Sequence, residues 1–422
     1  MIWMTSTEDK KWFSQTPLAK SESEELVIGS PMGQPLFGFG CCFSETCVKA
    51  VLNLSPEKKD EVFDELFTED GCGFSYCRLS IGANDFVENW YSYNEVEGDY
   101  VMENFSIERD RRYIIPAVKE AYKRAPHLSF FASPWSPPTW MKFPAVCNYG
   151  RLIQTPENLK AYAKYFRLFL EAYAKEGIRV DHICPQNEFL SDQKWPSCVF
   201  SGEEMENLVC AMSDEIGDLA QIYIGTIDGP RQYTEFGLHG EMLGRIMQNP
   251  KCRQAVKGAA YQWAGKLAIM QAHEDYPELD LIHSECQCGD GTNTWDYAMY
   301  NYHMYHHYFR FGARANVYWN MALDGERMSA WGWKQNSLIT IADGEYAFTP
   351  DFYMVKHFSH FVKPGAVLLR TQGDMSSNTC AFRNPDGSTV VVMLNPFPFE
   401  KKVTIGEHTY ALPPRSFHSI IL

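Results

Sequence analysis

The sequence predicts a (β/α)8 TIM barrel with a side β-sandwich domain built from both chain termini. Three observations carry this. Eight short apolar runs alternate with helical patterns over about 290 residues, the pattern of a parallel barrel. From about Ala366 onward the alternation gives way to closely spaced strand-type runs and turns. The first 28 residues show no helical period and add strands to that second unit. The barrel therefore spans 29–365, and the sandwich 1–28 plus 366–422. A chain of 422 residues accommodates one large domain and one small one.

The eight barrel runs are Phe37–Phe43, Phe74–Ile81, Leu128–Ser133, Val180–Pro185, Ile222–Ile227, Gly258–Trp263, Leu279–Ser284 and Ala315–Asn320. Each is mostly apolar and bounded by Gly, Pro, Asn or Asp, as a strand buried on both faces is. Between them, Pro56–Phe67 carries Val62, Phe63, Leu66 and Phe67 at helical spacing, with Ser55 as N-cap before Pro56. Leu159–Glu176 repeats Tyr162, Tyr165, Phe166, Phe169, Leu170 and Tyr173 at three and four, opened by Thr155 before Pro156. Trp295–Phe311 is a further helix. A doubly wound sheet is the structural alternative. The first run, GFGCCF, lacks the third glycine of a dinucleotide loop and a following helix start, so a nucleotide site has little support. The sandwich strands are Ala366–Arg370, Thr379–Arg383, Thr389–Leu394, Lys402–Ile405 and Ser416–Leu422. Turns at Asn384-Pro385-Asp386-Gly387 and Leu412-Pro413-Pro414 separate them.

Composition narrows the function. Hydrophobic residues make up 45% and charged residues 22%, which excludes wholesale disorder. A net charge of −15 disfavours nucleic acid as a partner. No run approaches the ~18 apolar residues of a membrane span. The segment MIWMTSTEDKKWF has no apolar core of a secretory signal, so the expected location is cytoplasmic. Thirteen cysteines, an odd number, read as free thiols of a reducing compartment, and neither Cys41-Cys42 nor Cys286-x-Cys288 has zinc-site spacing. His303, His306 and His307 share a helix without a supporting carboxylate, so no metal is expected. The acidic run Glu22–Glu25 reads as a solvated surface. Eleven tryptophans offer flat faces for stacking.

Function in such a barrel sits at the C-terminal ends of the strands. There the fourth run ends Pro185-Gln186-Asn187-Glu188 and the seventh His283-Ser284-Glu285-Cys286. A lone glutamate at a strand end is by default a loop residue bonded to backbone or solvent. Two of them at one barrel mouth, with Trp135, Trp263 and Trp319 ending other strands, fit glycosidic cleavage. One carboxyl protonates the leaving oxygen while the other handles the oxocarbenium-like centre. A barrel that binds sugar without turnover is the alternative of another class.

At Glu188 and Glu285 the sequence resembles glycoside hydrolase family 30, the clan A family that includes lysosomal glucosylceramidase. The likeness runs through GFGCCFSET, FSYCRLSIGANDF (Phe74–Phe86), SPWSPPTWMK (Ser133–Lys142), PQNE, HSEC, YWN (Tyr318–Asn320) and MVKHFSHFV (Met354–Val362), in order. The resemblance implies a retaining mechanism with Glu188 as acid/base and Glu285 as nucleophile, their carboxyls about 5–5.5 Å apart. It implies that Asn187 bonds the sugar 2-hydroxyl and that Arg78 keeps the nucleophile ionised. Asp85, Trp135 and Trp319 would grip the innermost sugar. The family usually has Pro after the acid/base glutamate, and this chain has Phe189. Many members show His-Trp-Tyr after the sixth strand, where this chain has Gln262-Trp263-Ala264, so Tyr261 or Gln262 would make the contact to the nucleophile. The implied substrate is a carbohydrate or glycoside, with no metal or organic cofactor. An exo-acting β-glucosidase leads, and endo-β-1,6-glucanase, xylosidase, fucosidase and galactanase activities are the alternatives.

Overall fold

In the computed structural model, which describes residues 2–21, 25–229, 239–326 and 328–422, the eight runs close into one parallel barrel. Its strands are Gly38–Phe43 (β1), Tyr76–Ser80 (β2), Ser129–Ser133 (β3), Val180–Ile183 (β4), Gln221–Ile227 (β5), Val256–Gln262 (β6), Asp280–Glu285 (β7) and Ala313–Asn320 (β8). Side chains alternate between two faces along each strand. One set, including Tyr76, Phe131, Tyr223, Ala260, Ile282 and Val317, fills the barrel. The other set meets the helices in a larger apolar cluster. Burial on both faces is why the runs read as continuously apolar.

The helices follow their caps. Ser55 accepts from the Lys58 N–H and opens Pro56–Phe67. Thr155 accepts from the Asn158 N–H, so that helix begins at Pro156 and runs to Lys175. Thr294 caps Trp295–Arg310 in the same way. One expectation is corrected: a helix does start behind the first strand, at Glu45–Leu52. Its apolar stripe of Cys47, Val48 and Val51 is too short to register as a period.

The sandwich is built from both ends of the chain. Its larger sheet runs Phe13–Ser14, Ile2–Ser6, Ser416–Ile421, Thr389–Asn395, Thr379–Arg383, Val367–Gly373 and Leu26–Pro31. The smaller sheet joins Lys401–Ile405, His408–Leu412 and Leu18–Ala19. His408–Leu412, with one charged neighbour and a proline end, gave no strand signal. His357, on the helix Pro350–Ser359, bonds Ser6 Oγ at 2.9 Å and Ser419 Oγ at 2.8 Å, and so ties that helix to both chain ends. Glu22, Ser23 and Glu24 of the acidic run lie outside the described residues, and Glu25 is exposed. None of the thirteen cysteines is in a disulfide.

Two buried polar groups hold the loops that frame the barrel mouth. Asp110 accepts hydrogen bonds from the hydroxyls of Tyr91 (2.7 Å), Tyr93 (2.5 Å) and Tyr173 (2.6 Å). That anchors the long segment after β2 to the helix Pro156–Lys175. The Lys142 ammonium donates to Ser136 Oγ (2.9 Å), the Cys147 carbonyl (3.0 Å) and the Ser197 carbonyl (2.6 Å), joining the loops after β3 and β4. Burial lowers the pKa of this lysine. Its three donors are satisfied by oxygen dipoles, as a buried ammonium requires. Replacing Thr155 by Ala removes the cap of the longest helix and is expected to cost about 1 kcal/mol. A fall in the urea midpoint with an unchanged m-value checks this.

Candidate active site

The site is organised around Arg78, which projects from β2 into the barrel and is fully buried. Its Nη1 donates to Glu285 Oε2 at 2.5 Å, and its Nη2 donates to Ser133 Oγ at 2.8 Å and Asn187 Oδ1 at 2.6 Å. A buried guanidinium is tolerated only with such partners. Its plane lies against Trp135, with Cζ 4.3 Å from the ring centroid, and near Trp319 at 5.6 Å.

Glu285 faces this group because β7 is irregular. Strict alternation would send it to the helix side, like His283. Instead Tyr261 pairs with His283 and Gln262 with Glu285, so Ser284 is an extra residue. This β-bulge turns the carboxylate inward. A second register shift lies in β5 between Ile224 and Ile227. It accompanies an inward Thr226, whose hydroxyl donates to Asn187 Oδ1 at 2.7 Å. Gln262 Nε2 reaches Asn187 Oδ1 at 2.7 Å, Thr226 Oγ1 at 3.0 Å and Glu285 Oε2 at 3.1 Å. Asn187 Oδ1 thus faces three donors, and its amide nitrogen points away from them.

Glu188 follows directly. It is half-buried, with φ of +47°, a left-handed conformation uncommon for a side chain of this size. Its N–H donates to the Thr226 carbonyl at 3.0 Å, and its carbonyl accepts from the Ser191 N–H at 2.8 Å. One backbone bond to β5 and one within its own loop therefore fix the turn that carries it.

Two sequence expectations need correction. Gln262 makes the contact to Glu285, whereas Tyr261, one residue earlier on β6, faces the helix layer. Trp263 lies beyond the strand end, in a short 3-10 turn Trp263–Gly265, and makes no hydrogen bond or ring contact with the site among the described residues. Trp135 and Trp319 are in the site and stack at 5.4 Å and 26°, yet each is only 2% exposed. They form a floor beneath the cleft, and Trp319 Nε1 donates to Gln335 Oε1 at 2.8 Å. The sequence reading missed Ser133, Thr226 and Asp228. Asp228-Gly229 after the fifth run was a readable turn. Thr226 sits inside an apolar run and carried no signal.

Electrostatics add to the role of Arg78. Burial pushes the Glu285 carboxyl above the usual glutamate range, Arg78 opposes the rise, and Asp228 adds to it. Arg78 thus offsets desolvation without pulling Glu285 low. Asp85 is pushed up to about 8, by burial first and by the Glu285 charge second. Its Oδ1 has no hydrogen-bond partner among the described residues. Burial also raises the Cys286 and Cys288 thiols well above their usual value, so neither is a reactive thiolate. Among the described residues no group of three His, Cys, Asp or Glu side chains suits a metal. Because Asp85 is protonated in the fold at pH 7 and ionised when unfolded, it loses stability as pH rises from about 4 to about 8. Asp85→Asn removes this penalty. Its Tm advantage over the parent should be absent near pH 4, grow toward pH 8 and level off above it, with an upper bound of about 4 kcal/mol at pH 7.

Comparison with known proteins agrees with this geometry. Residues 36–212 match the glycosyl hydrolase family 30 TIM-barrel domain, and residues 365–420 match the family 30 beta sandwich domain. The lysosomal acid glucosylceramidase of Mus musculus is 26% identical over 408 residues, covering 89% of this chain and 77% of the mouse protein. The endo-1,6-beta-D-glucanase BGN16.3 of Trichoderma harzianum is 26% identical over 405 residues, covering 86% of this chain and 78% of that enzyme. The solved structure of the endo-beta1,6-glucanase BT3312 superposes with a TM-score of 0.89 at 25% identity, covering 100% of this chain and 99% of that one. With its closed eight-stranded barrel, its two-ended sandwich and a glutamate at the end of both β4 and β7, the chain belongs to glycoside hydrolase family 30 and is a retaining glycoside hydrolase.

Proposed function

We propose that the chain is a retaining β-glucosidase acting from chain ends, with Glu285 as nucleophile and Glu188 as acid/base. One observation carries the residue roles. The Arg78 guanidinium holds Glu285 and Asn187 together, and Glu188 follows Asn187. Glucose is the sugar named by both groups of relatives, the glucosylceramidase and the endo-1,6-glucanases.

The chemistry runs in two displacements. A Glu285 oxygen attacks the anomeric carbon, the bond to the leaving oxygen breaks, and Glu188 gives that oxygen its proton. Arg78 and Gln262 hold the Glu285 oxygen Oε2, so the attacking oxygen is Oε1. In this reading the Asn187 amide nitrogen, left free by the three donors on its Oδ1, bonds the sugar 2-hydroxyl. Once Glu285 is esterified its charge is gone, and Glu188 is easier to ionise. Glu188 then takes a proton from water, the water oxygen bonds the anomeric carbon, and the ester to Glu285 breaks. The second reading is an endo-1,6-glucanase, favoured by the BT3312 likeness across the whole chain.

Glu285→Gln should lower kcat by roughly 10⁴-fold or more with the far-UV spectrum unchanged, and should lower Tm because the buried Arg78 loses its charged partner. Glu188→Ala should leave kcat/KM on dinitrophenyl β-glucoside near the parent value, with kcat reduced by the slowed attack of water, and lower kcat/KM on alkyl β-glucosides by about 10²–10⁴-fold. Attack needs ionised Glu285, and burial raises its pKa. The acid limb of kcat/KM on aryl β-glucoside should therefore lie above the ordinary glutamate value of about 4.3. A limb at or below that value would contradict the assignment.

A further inference from the structure

The barrel mouth is crossed by a bridge of tryptophans. Trp195 lies on the loop after β4, and Trp331 and Trp333 lie on the loop after β8. Trp195 stacks on Trp331 at 4.8 Å and 26° and reaches Trp333 at 6.4 Å, while Trp331 and Trp333 are 5.2 Å apart. The Lys194 ammonium lies 4.6 Å from the Trp331 ring centroid. In the closed strand order, β4 and β8 stand four steps apart in either direction. Loops from opposite sides of the barrel therefore meet, and their contact divides the mouth. Asp85, Trp135 and Trp319 belong to the side of β1 to β3 and β8. The side of β5 to β7 carries Thr226, Gln262 and Glu285.

The bridge is attached to the site by hydrogen bonds at both flanks. The Ala330 N–H donates to the Asp85 carbonyl at 2.8 Å. On the other flank the Tyr149 N–H donates to the Gln193 carbonyl at 3.2 Å, and the Gly150 N–H to Asp192 Oδ1 at 2.8 Å. Lys142 pins Ser197 of the same loop. Two buried polar atoms at the junction have no hydrogen-bond partner among the described residues, Asp85 Oδ1 and Trp331 Nε1. The Trp331 N–H lies close enough to the Asp85 carboxyl to favour its anion. Buried polar atoms left unpaired are costly, so they mark a place where a ligand supplies the partners. A neutral carboxyl acceptor beside an indole donor matches the hydroxyl groups of a pyranose.

We propose that the Trp195–Trp331–Trp333 bridge closes the site beyond the innermost glucosyl unit, and that Trp331, beside Asp85, receives the hydroxyls of that unit farthest from the scissile bond. This rests on the reading of Glu188 and Glu285 as the catalytic pair. A glucosyl unit so capped has no room for another sugar on its non-reducing side, so only a chain end enters, and the leaving group extends over β5 to β7. Stacked indoles set the limit, and Trp331 adds a hydroxyl contact that selects a free end.

An aryl β-gentiobioside tests this. A closed site must first remove the terminal glucose, so the aryl alcohol appears after a lag, free glucose comes first, and gentiobiose is not formed. Release of aryl alcohol and gentiobiose from the first time point by the parent enzyme would overturn the proposal. Trp195→Ala opens the bridge without touching the sugar, and should raise the early ratio of gentiobiose to glucose at least about tenfold. A folded, active Trp195→Ala enzyme with an unchanged ratio would also overturn it. Absence of turnover on both aryl β-glucoside and aryl β-gentiobioside would instead refute the catalytic reading, and this control keeps the two failures apart.

Discussion

The ion pair between Arg78 and Glu285 is the constraint on which the rest of the site depends. Both groups are buried at the centre of the barrel mouth. Neither could be there alone, because an unpaired buried charge is far more costly than a paired one. The same guanidinium orders Ser133 and Asn187 with its second nitrogen. One side chain on β2 thereby sets the positions of groups on β3, β4 and β7. Its flat face also fixes the tryptophan floor, since Trp135 packs on it and Trp319 packs on Trp135.

A regular barrel would not produce this arrangement. Alternation along β7 would turn Glu285 outward, and the register slip at Ser284 reverses that. The shift in β5 accompanies an inward Thr226 in the same polar cluster. The regular parts of the strands supply packing, and their irregular ends supply chemistry. The burial that stabilises the barrel also raises the pKa of Glu285 and Asp85, so fold and reactivity are set by one low-dielectric environment.

Much of the fold was legible in the sequence for physical reasons. Strands buried on both faces read as short apolar runs, and all eight pair in the expected order. Capping residues such as Ser55 and Thr155 marked helix starts. Glu188, Glu285, Arg78 and Asn187 were legible from strand-end position and resemblance, and Gln262 as one of two candidates; the structure joins Arg78, Asn187, Gln262 and Glu285 in one hydrogen-bonded cluster, with Glu188 next along the chain. Other features were not legible. Period-two alternation does not reveal where a register slips, so Tyr261 and Gln262 were equal candidates, and Thr226 was invisible. Trp331 and Trp333 lie in an irregular loop, where no periodicity says what a side chain faces. The short helix Glu45–Leu52 was missed because two turns cannot display a 3.6-residue repeat.

The central claim is that Glu285 forms the covalent bond to the sugar. The most direct measurement is trapping with a 2-deoxy-2-fluoro-β-glucosyl substrate carrying a good leaving group, followed by proteolysis and mass spectrometry. The expected result is one glycosyl unit esterified to the peptide containing Glu285, with loss of activity in proportion to labelling. A label on Glu188, Asp85 or Asp228, or steady hydrolysis of aryl β-glucoside with inversion and no label, would contradict the account.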